Sequence, residues 1–512
     1  MAADTGRRPT LELLALLLAC SFAYFVGPPA WNQNSRLALT RALVEQGRVT
    51  IDEHHATTGD KSLREGHFYS DKAPGVSLLS TIPYALFVAE RRLTGGELPD
   101  VRVETLDPAI AAADRAPAPA ERAPGDVLVY NPAHRVALWL CRMIVISLPS
   151  VLAGLLMFVL LARQTRRTIA LGTTLIWLLA TPALGYACGL YGHQIVAALL
   201  FAAFALVVLD EPLGLRERGL GLLIGGLLGW AVLCEYTSAV PVALLLGWAS
   251  WRRGWRLGGW IAIGGLPWAL VLAGYHAWAF GSPLATGYDF VYLEEFAEGM
   301  KVNYGIGAPD LGVLIQLLFG SYRGLFYLAP VLLLAAWGLG VALVRAPTRS
   351  NQALTRGDFL LALALITYYL LLNAGYYMWD GGAALGPRHA VPMLPFLCLG
   401  LIAAFEQVPR ATWVLAGISS LQVVLITAAG PEAPGWGNPI WSYALPELLA
   451  EPSVGGATTA GRLLGLPGWA SLLPLFGLWW LLGRELGKRG STSAAIQEPA
   501  SERVAEHHAE HR

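Results

Sequence analysis

The chain contains few charged residues for its length. Lys, Arg, Asp and Glu together make up 14% of 512 residues, whereas soluble domains carry about 25%. The formal net charge is zero and no long basic run occurs, which argues against nucleic acid as a partner. A Gly-rich phosphate loop between a strand and a helix is also absent from the sequence, so no nucleotide-binding domain is predicted.

Cysteine is scarce as well. The five cysteines are scattered and lie mostly inside apolar runs: Cys20, Cys141, Cys188, Cys234 and Cys398. Their spacing matches neither a disulfide framework nor a metal site, so they are interpreted as small core residues.

Long hydrophobic runs dominate the chain instead. Hydrophobic residues make up 55% of the sequence, in blocks of about 17–25 residues, the length with which a helix crosses ~30 Å of hydrocarbon. A soluble core would show shorter runs with amphipathic spacing. The predicted fold class is therefore an all-α membrane protein. The first block, Leu11 to Val26, lacks a small-x-small cleavage site and is interpreted as an uncleaved first span rather than a signal peptide.

Clusters of basic residues follow many of the apolar runs and should mark the cytoplasmic side. The clusters are Arg163, Arg166 and Arg167; Arg216 and Arg218; Arg252, Arg253 and Arg256; Arg345, Arg349 and Arg356; and Arg484, Lys488 and Arg489. They fall on one side only if the chain starts inside and crosses about twelve times, which places both termini in the cytoplasm.

This topology divides the chain into three parts. Residues 1–10 form a cytoplasmic N-terminus, residues 11–483 a polytopic membrane domain, and residues 484–512 a polar cytoplasmic tail that is predicted to be disordered. Within the membrane domain, residues 31–135 form a large outer-face loop. The other outer segments are Tyr191–His193, Phe280–Tyr322, Met378–His389 and Gly430–Pro467.

The large outer loop is predicted to contain two helices that lie along the membrane surface. Ser35 to Val44 has the pattern of an amphipathic helix. Gly75 to Ala89 is short, contains Pro83 and precedes two arginines, which favours an interfacial or re-entrant helix over a span. The stretch Ala111–Pro124, rich in Pro and Ala, is predicted to be a flexible excursion.

The part of this loop from Asn32 to Lys72 concentrates acids, imidazoles and a lysine. Asp52, His54 and His67 are the residues from which a metal site would be built, because such a site needs three or four converging ligands. Sequence spacing does not show convergence. No metal ligand is assigned and no cofactor is predicted, with a divalent metal left open as an alternative.

The run Tyr69-Ser70-Asp71-Lys72-Ala73-Pro74, placed after a first span and a helix, resembles the Tyr-x-Asp-Lys-Pro-Pro motif of polyprenyl-phosphate-dependent glycosyltransferases of the GT-C type. That family includes bacterial aminoarabinose transferases and protein O-mannosyltransferases. Later segments also resemble bacterial members: Phe280-Gly281-Ser282-Pro283, Tyr322-Arg323-Gly324-Leu325-Phe326, Trp379-Asp380-Gly381-Gly382 and Gly386-Pro387-Arg388-His389.

The resemblance implies a GT-C-like enzyme of the bacterial cytoplasmic membrane. Such an enzyme moves a sugar from a polyprenyl-phosphate donor to a glycan, lipid or protein acceptor on the outer face, with membrane lipids around it. The chemistry needs a base for the acceptor proton and a cationic clamp for the leaving phosphate. With a single carboxylate base the transfer is expected to invert the sugar carbon.

The family usually places its catalytic acid at the exit of the first span, where this chain has Trp31-Asn32-Gln33-Asn34. The nearest acids follow the next helix, so Asp52 is predicted to be the base, with Glu53 second. The alternative is that Asp52 caps a turn or faces water.

Lys72 and Arg388 are predicted to hold the phosphate, with Arg323 behind them. An arginine makes bidentate hydrogen bonds to phosphate oxygens, and a lysine supplies a point charge. For Lys72 and Arg323 the alternative is anchoring at the membrane interface. The remaining residues predicted to bind substrate are Tyr69, Asp71, His67 and His389.

Three other functions remain open at this point. A ligase or polymerase of lipid-linked glycans would use similar chemistry. A transporter or flippase of a lipid-linked or polar solute should show internal repeats and charged or broken helices at mid-membrane. No clear repeat is visible, and Glu235, the one acid inside an apolar context, is left without an assigned role. A catalytically degenerate member of the family is the other alternative, because the acid after the first span is missing.

Overall fold

A computed structural model describes residues 8–27, 29–105, 126–209, 212–347, 354–434, 437–450 and 458–495 of the chain. This part is mainly helical. Its α-helices in the first half are α1 (Arg8–Tyr24), α2 (Trp31–Arg41), α3 (Gly75–Thr94), α4 (Pro132–Arg142), α5 (Leu148–Leu161), α6 (Arg167–Leu179), α7 (Ala183–Ala187), α8 (Gly192–Val208), α9 (Glu217–Cys234), α10 (Ala239–Arg253) and α11 (Trp255–Phe280).

In the second half the helices are shorter on average. They are α12 (Glu294–Met300), α13 (Leu311–Phe319), α14 (Leu325–Leu328), α15 (Val331–Arg345), α16 (Arg356–Ala374), α17 (Leu394–Cys398), α18 (Leu401–Gln407), α19 (Pro409–Ala429), α20 (Leu445–Leu449), α21 (Ala460–Leu463) and α22 (Leu473–Ala495). One large apolar core joins most of them, from α1 to α22.

The strands of the described residues form three small antiparallel pairs. Two of them are hairpin-like ribbons in the loop after α1: β2 (Lys61–Arg64) with β3 (His67–Ser70), and β4 (Val101–Thr105) with β5 (Asp126–Tyr130). The third pairs β1 (Phe25–Val26) with β6 (Thr458–Thr459). The turn between β2 and β3 is tight because Glu65 and Gly66 both have positive φ, the conformation that a two-residue hairpin requires.

Five helical stretches in the described residues are long and apolar enough to cross a membrane, or six if a pair bent by 51° counts as one span. The five are Pro132–Leu161, Glu217–Cys234, Trp255–Phe280, Arg356–Ala374 and Pro409–Ala429, and the bent pair is Arg388–Cys398 with Leu401–Gln407. Four shorter apolar helices also occur, among them Thr10–Tyr24. The predicted all-α membrane class agrees with this, and the topology with about twelve crossings stays a prediction.

The amphipathic surface helix predicted at Ser35–Val44 needs correction. The helix α2 starts earlier, at Trp31, and every side chain from Asn32 to Thr40 is buried. Its polar residues have partners within the protein instead of a water-facing side: Asn34 donates to Tyr130 Oη at 2.8 Å, and Ser35 donates to the Asp60 carbonyl at 2.6 Å. Burial of polar groups is tolerated because they are hydrogen-bonded.

The stretch predicted as an interfacial helix is helical and extends beyond Ala89, because α3 runs to Thr94. It is not among the helices apolar enough to span. Tyr84 and Phe87 pack inward, while Ile82 and Leu86 are exposed, so α3 has one apolar face without protein cover. Its place at a membrane interface stays a prediction.

Three other predictions concern the excursion after α3, the C-terminal tail and the cysteines. The excursion Ala111–Pro124 lies outside the described residues. The tail predicted to begin at residue 484 starts inside α22, which continues to Ala495, and residues 496–512 are not described. All five cysteines are free and four are buried, as expected for core residues.

The start of α3 lies against the end of α9 with no room for a side chain. A Cβ on Gly75 would lie 2.6 Å from the Leu233 carbonyl carbon and 2.7 Å from the Cys234 nitrogen. These are backbone atoms, which cannot move aside as a flexible side chain can. Glycine at this position therefore lets the turn after β3 approach the residue that follows α9, which is Glu235.

We expect Gly75→Ala to destabilise the protein by about 1–3 kcal/mol, as overpacking against a rigid neighbour does. The apparent unfolding temperature of the detergent-solubilised protein measures this. Gly417→Ala is the matched control, because a Cβ there meets nothing within 4 Å and Ala is favoured over Gly inside a helix. Equal unfolding temperatures of the Gly75→Ala and Gly417→Ala variants would contradict the close approach.

Candidate functional site

Charged side chains from distant parts of the chain meet at one place. We call this group the charged site and define it by Arg36, Asp60, Asp71, Lys72, His193, Glu235, Arg388 and His389. Except for Glu235, its members come from segments that the topology predicts on the outer face. They are contributed by α2, the residue before β2, the turn after β3, the first turn of α8, the residue after α9 and the start of the 3₁₀ helix Arg388–Met393.

Lys72 is held by two carboxylates. Its Nζ lies 3.1 Å from Asp60 Oδ2 and 3.1 Å from Asp71 Oδ2. Burial opposes the charge of Lys72, but the two acids outweigh it and keep the pKa of Lys72 above its usual value. Asp71 is the more buried of the two, and burial raises its pKa above the usual range. Lys72 is therefore a fixed cation with an acid on either side.

Arg36 and Glu235 form a buried ion pair. Arg36 Nη2 donates to Glu235 Oε1 at 2.9 Å, and the two side chains are 1% and 14% exposed. His193 Nδ1 lies 3.8 Å from the same oxygen. A Cβ on Gly192 would overlap the Glu235 carboxylate, so a larger residue there would displace the acid from its present position beside α8.

Arg388 lies close to Lys72 but has no partner of its own. The charges of the two side chains interact, and Arg388 makes no hydrogen bond or ion pair with any residue that the structure describes, while its Nε is buried. His389 next to it contacts the rings of His193 at 5.2 Å and Tyr376 at 5.0 Å. Two cations held near each other repel, so an anion between them would stabilise the arrangement.

Aromatic residues border the charged site. Tyr288 lies within electrostatic reach of Glu235 and Asp71, and Tyr376 within reach of Lys72 and Arg388. Tyr236 follows Glu235 and hydrogen-bonds to His276 through its hydroxyl at 2.9 Å. Aromatic rings beside charged groups offer both apolar area and polar tips.

The predicted phosphate ligand Arg323 is placed behind the charged site rather than in it. Its side chain is 0% exposed and donates to four carbonyls: those of Gly382, Ala384, Ala433 and Pro434. These hydrogen bonds join the loop before Arg388 to the residues that follow α19. Arg323 therefore fixes the loop that carries Arg388 and His389.

The two residues predicted as bases, Asp52 and Glu53, are not part of the charged site. Asp52 accepts hydrogen bonds from the Phe68 amide at 2.7 Å and from His67 at 2.8 Å, which outweigh burial and hold its pKa below the usual value. The Asp52 and His67 side chains are 37% and 58% exposed. None of the contacts in the described parts of the chain joins Asp52 to Lys72, and Glu53 is exposed. Both acids precede the hairpin, and only Asp52 is bonded to it, through His67 and Phe68.

Tyr69 is a core residue in this structure. Its ring packs 5.5 Å from that of Phe280, in a small apolar cluster that also contains Ala38, Ile51 and Tyr275. Because neighbouring side chains along a strand point to opposite sides, Tyr69 faces this cluster while Ser70 faces the other way. The packing of Tyr69 on Phe280 thus anchors the hairpin.

The three residues considered for a metal site are not brought together. Asp52 pairs with His67, whereas His54 Nε2 lies 4.0 Å from Glu45 Oε2. Among the described residues, no group of three or more His, Cys, Asp or Glu side chains is arranged to hold a metal ion.

Sequence reasoning missed Arg36, Asp60 and Glu432, and it left Glu235 without a role. Glu235 carries a usable signal, because an acid in an apolar context calls for a cationic partner. Arg36 gives no such signal, since an arginine in an amphipathic pattern is typical of a water-facing helix. Asp60 precedes the buried Lys61, and only the β2–β3 pairing brings it beside Lys72.

The Arg36–Glu235 pair gives a stability test. Removing one partner of a buried ion pair leaves an uncompensated charge and costs about 3–5 kcal/mol, whereas replacing both by apolar residues is often neutral. We therefore expect Arg36→Met to lower the apparent unfolding temperature strongly and Arg36→Met/Glu235→Leu to recover most of it. The exposed pair Glu298–Lys301 is the control cycle. Additive losses in the double variant would contradict the direct pairing of Arg36 and Glu235.

No protein-family model and no curated protein sequence matches the chain. Among solved structures, it is similar to ArnT from Cupriavidus metallidurans at 15% identity, over 96% of this chain. The apo ArnT structure has a TM-score of 0.44 with 78% of its chain covered. The structure of ArnT bound to undecaprenyl phosphate has a TM-score of 0.44 with 80% covered.

A further similar structure is the oligosaccharyltransferase of Archaeoglobus fulgidus in its apo form. The TM-score is 0.39 at 12% identity, over 83% of this chain and 55% of that one.

Proposed function

We propose that this chain is an integral-membrane glycosyltransferase that moves a sugar from a polyprenyl-phosphate donor to a glycan, lipid or protein acceptor. The reaction takes place at the end of the helix bundle where the charged site lies, on the outer face of a bacterial cytoplasmic membrane. The observation that carries the proposal is the position of Arg388. It is a cation without an anionic partner in the described residues, beside a second cation, Lys72.

A lipid-linked phosphate fits this arrangement better than a free one, because an apolar groove of about 590 Å³ opens between α9, α10 and α11. Leu233, Leu246 and Leu272 line it, and His276 is its main polar contact. His276 also bonds to Tyr236, the neighbour of Glu235. An isoprenoid chain in the groove would therefore place its phosphate next to the charged site.

We assign the base to Asp60. A base must reach the acceptor proton while the phosphate is held nearby, and Asp60 lies 3.1 Å from Lys72 with a side chain that is 17% exposed. The acceptor oxygen attacks the anomeric carbon and its proton passes to Asp60. The bond from that carbon to the phosphate oxygen breaks, and polyprenyl phosphate leaves with its charge on Lys72 and Arg388. One displacement inverts the sugar carbon.

The assignment of the base is tested by two isosteric variants. We expect Asp60→Asn to lower kcat by roughly 10²–10⁴-fold, the usual contribution of a general base, while Asp52→Asn keeps near-normal turnover. The assay follows consumption of polyprenyl-phosphate sugars from a panel by the purified protein. Glu53→Gln is a second control on the exposed side of the hairpin.

The opposite pattern, with Asp52→Asn inactive and Asp60→Asn active, would return the base to Asp52. Failure of the wild-type protein to consume any donor of the panel, while it fails to bind polyprenyl phosphate, would contradict the function itself.

The phosphate clamp is tested by binding without turnover. We expect Arg388→Met to weaken binding of polyprenyl phosphate at least roughly tenfold, because hydrogen bonds to charged groups contribute about 1.5–3 kcal/mol. Arg388→Lys should recover only part of this, since it loses the paired geometry. Arg102→Met, in the exposed strand β4, is the matched control. Unchanged binding by Arg388→Met would remove Arg388 from the clamp.

A further inference from the structure

Three tyrosines beside the charged site have no role in the proposed reaction. They are Tyr288, Tyr376 and Tyr377, and we call them the tyrosine wall. Tyr288 belongs to the 3₁₀ turn Gly287–Phe290 after α11, and the other two follow α16. None of the three belongs to an apolar core of the described residues, and each keeps part of its surface accessible.

The position of Tyr288 is set by the glycine before it. A Cβ on Gly287 would lie 2.7 Å from the Asp71 Cα, so the backbones of these two residues touch. Ser62 donates to the Gly287 carbonyl at 2.6 Å, which fixes the turn to β2. The Tyr288 ring also contacts that of Tyr236, with centroids 5.8 Å apart. Tyr288 is therefore held at the border of the charged site from two sides.

Tyr376 and Tyr377 are held on the side where Arg388 lies. The Tyr376 ring lies 5.0 Å from that of His389 and 5.0 Å from that of Tyr377. Tyr377 donates its amide hydrogen to the Gly305 carbonyl at 2.8 Å, and a Cβ on Gly305 would overlap the Tyr377 ring. The segment that carries Gly305 therefore packs directly on this ring and fixes its orientation.

The wall lies next to the groups that the proposed reaction uses. Tyr377 is within electrostatic reach of Lys72 and Asp60, and Tyr376 is within reach of Lys72 and Arg388. The anomeric carbon must lie between the phosphate ligands and the base, because the attacking oxygen and the leaving phosphate meet there. The sugar ring of the donor is therefore the part that meets the wall.

Tyrosine side chains suit a sugar ring. Their faces supply apolar contact for the C–H groups of the ring, and their hydroxyls donate to or accept from sugar hydroxyls. The Tyr288 hydroxyl makes no hydrogen bond within the described part of the chain. At least one hydroxyl of the wall is therefore available to a ligand.

The carboxylates of the charged site are paired with cations or are used in the reaction. Glu235 is bonded to Arg36. Asp71 is bonded to Lys72, and its side chain is 9% exposed. Asp60 is the proposed base. A protonated amine on the sugar therefore has no acid of its own here, and a charge without a partner is costly to bring out of water.

The acids that neighbour the wall along the chain are bound as well. Asp289 accepts from the Thr286 amide at 2.7 Å and from the Tyr304 hydroxyl at 3.1 Å. Asp380 accepts from the Tyr322 hydroxyl at 3.0 Å. The cations of the proposed clamp bind the phosphate, so a carboxylate on the sugar has no counter-charge either.

We propose that the tyrosine wall is the subsite for the sugar ring of the donor, and that this sugar carries no charge, as in a neutral hexose or pentose. The inference rests on the proposed function and deepens it by naming the class of donor sugar. The ring stacks on the wall while its anomeric carbon stays at the phosphate clamp. Amino sugars and uronic acids are disfavoured because the site offers them no counter-charge.

The test measures binding by the purified protein at pH 7, where amines and carboxyl groups are ionised. The ligands are polyprenyl phosphates that carry a neutral hexose, an amino-deoxyhexose or a hexuronic acid. Polyprenyl methyl phosphate, a diester of the same phosphate charge without a sugar, is the reference. We expect the neutral sugar to tighten binding roughly tenfold over the reference, because a ring contact and a hydrogen bond together contribute about that factor. Each charged sugar should bind at least roughly tenfold more weakly than the neutral one, as an unpaired charge requires.

Variants of the wall show whether it makes the sugar contact. Tyr288→Ala and Tyr376→Ala should each lose most of the gain from the neutral sugar while binding of the methyl ester changes little, which also shows that the variant is folded. Tyr288→Phe keeps the ring and loses only the hydroxyl, so it should keep part of the gain. Tyr368→Ala is the matched control. Tyr368 is a half-buried tyrosine of α16 whose hydroxyl bonds to the Thr237 carbonyl, and no charge of the described residues acts on it.

Equal affinities of the wild-type protein for the neutral-sugar donor and the methyl ester overturn the inference. So does a gain from the sugar that survives in both Tyr288→Ala and Tyr376→Ala, or tightest binding of the amino sugar or the uronic acid. Each of these results leaves the proposed function intact. Absence of binding by every one of these lipid phosphates contradicts the proposed function instead, and the inference falls with it.

Discussion

The rest of the site depends on the buried ion pair between Arg36 and Glu235. An arginine that is 1% exposed is tolerated only with a close anion and further acceptors, and Arg36 also donates to Asn32 and to the Ala73 carbonyl. The pair joins α2 to the end of α9. Because the Ala73 carbonyl belongs to the turn after β3, the same guanidinium fixes the segment that carries Lys72. One side chain thus sets the distances among three parts of the site.

Of the four cations in and behind the charged site, three have partners inside the protein. Arg36 is paired with Glu235, Lys72 with two aspartates, and Arg323 with four carbonyls. Each of these groups has an anion or carbonyl acceptors inside the protein, although Arg323 Nε is itself buried without a hydrogen-bond partner in the described residues. Arg388 alone among these four has no such partner in the described residues. Arg388 is therefore the one of the four without an acceptor in the described residues, and the apolar groove is connected to the charged site through His276, which bonds to Tyr236, the neighbour of Glu235.

The sequence predicted the class and part of the site because these depend on local patterns. Hydropathy alone indicates a helical membrane protein, and the Tyr69–Pro74 run together with Gly386–His389 located Lys72, Asp71, Arg388 and His389, which the structure brings together. The sequence favours Asp52 because it is the first acid after the helix, but hydrogen bonds from the Phe68 amide and His67 hold it beside β3. The β2–β3 pairing brings Asp60, the residue before β2, beside Lys72 instead. The burial of α2 could not be predicted for a related reason. Its polar side chains bind partners as distant in the chain as Glu235 and Glu432, and an amphipathic pattern does not show whether a polar side chain faces such a partner or water.

The first turn of α2 shows most clearly how a distant residue replaces a local one. The resemblance predicts an acid at the exit of the first span, where the chain has Asn32, Gln33 and Asn34. The structure places a carboxyl group there all the same, because Gln33 binds Glu432 from 399 residues further along the chain. A carboxylate on α2 itself would lie beside Arg36 and be ionised by it. The Glu432 carboxyl group is held by an amide and a hydroxyl instead, and burial raises its pKa above the usual range.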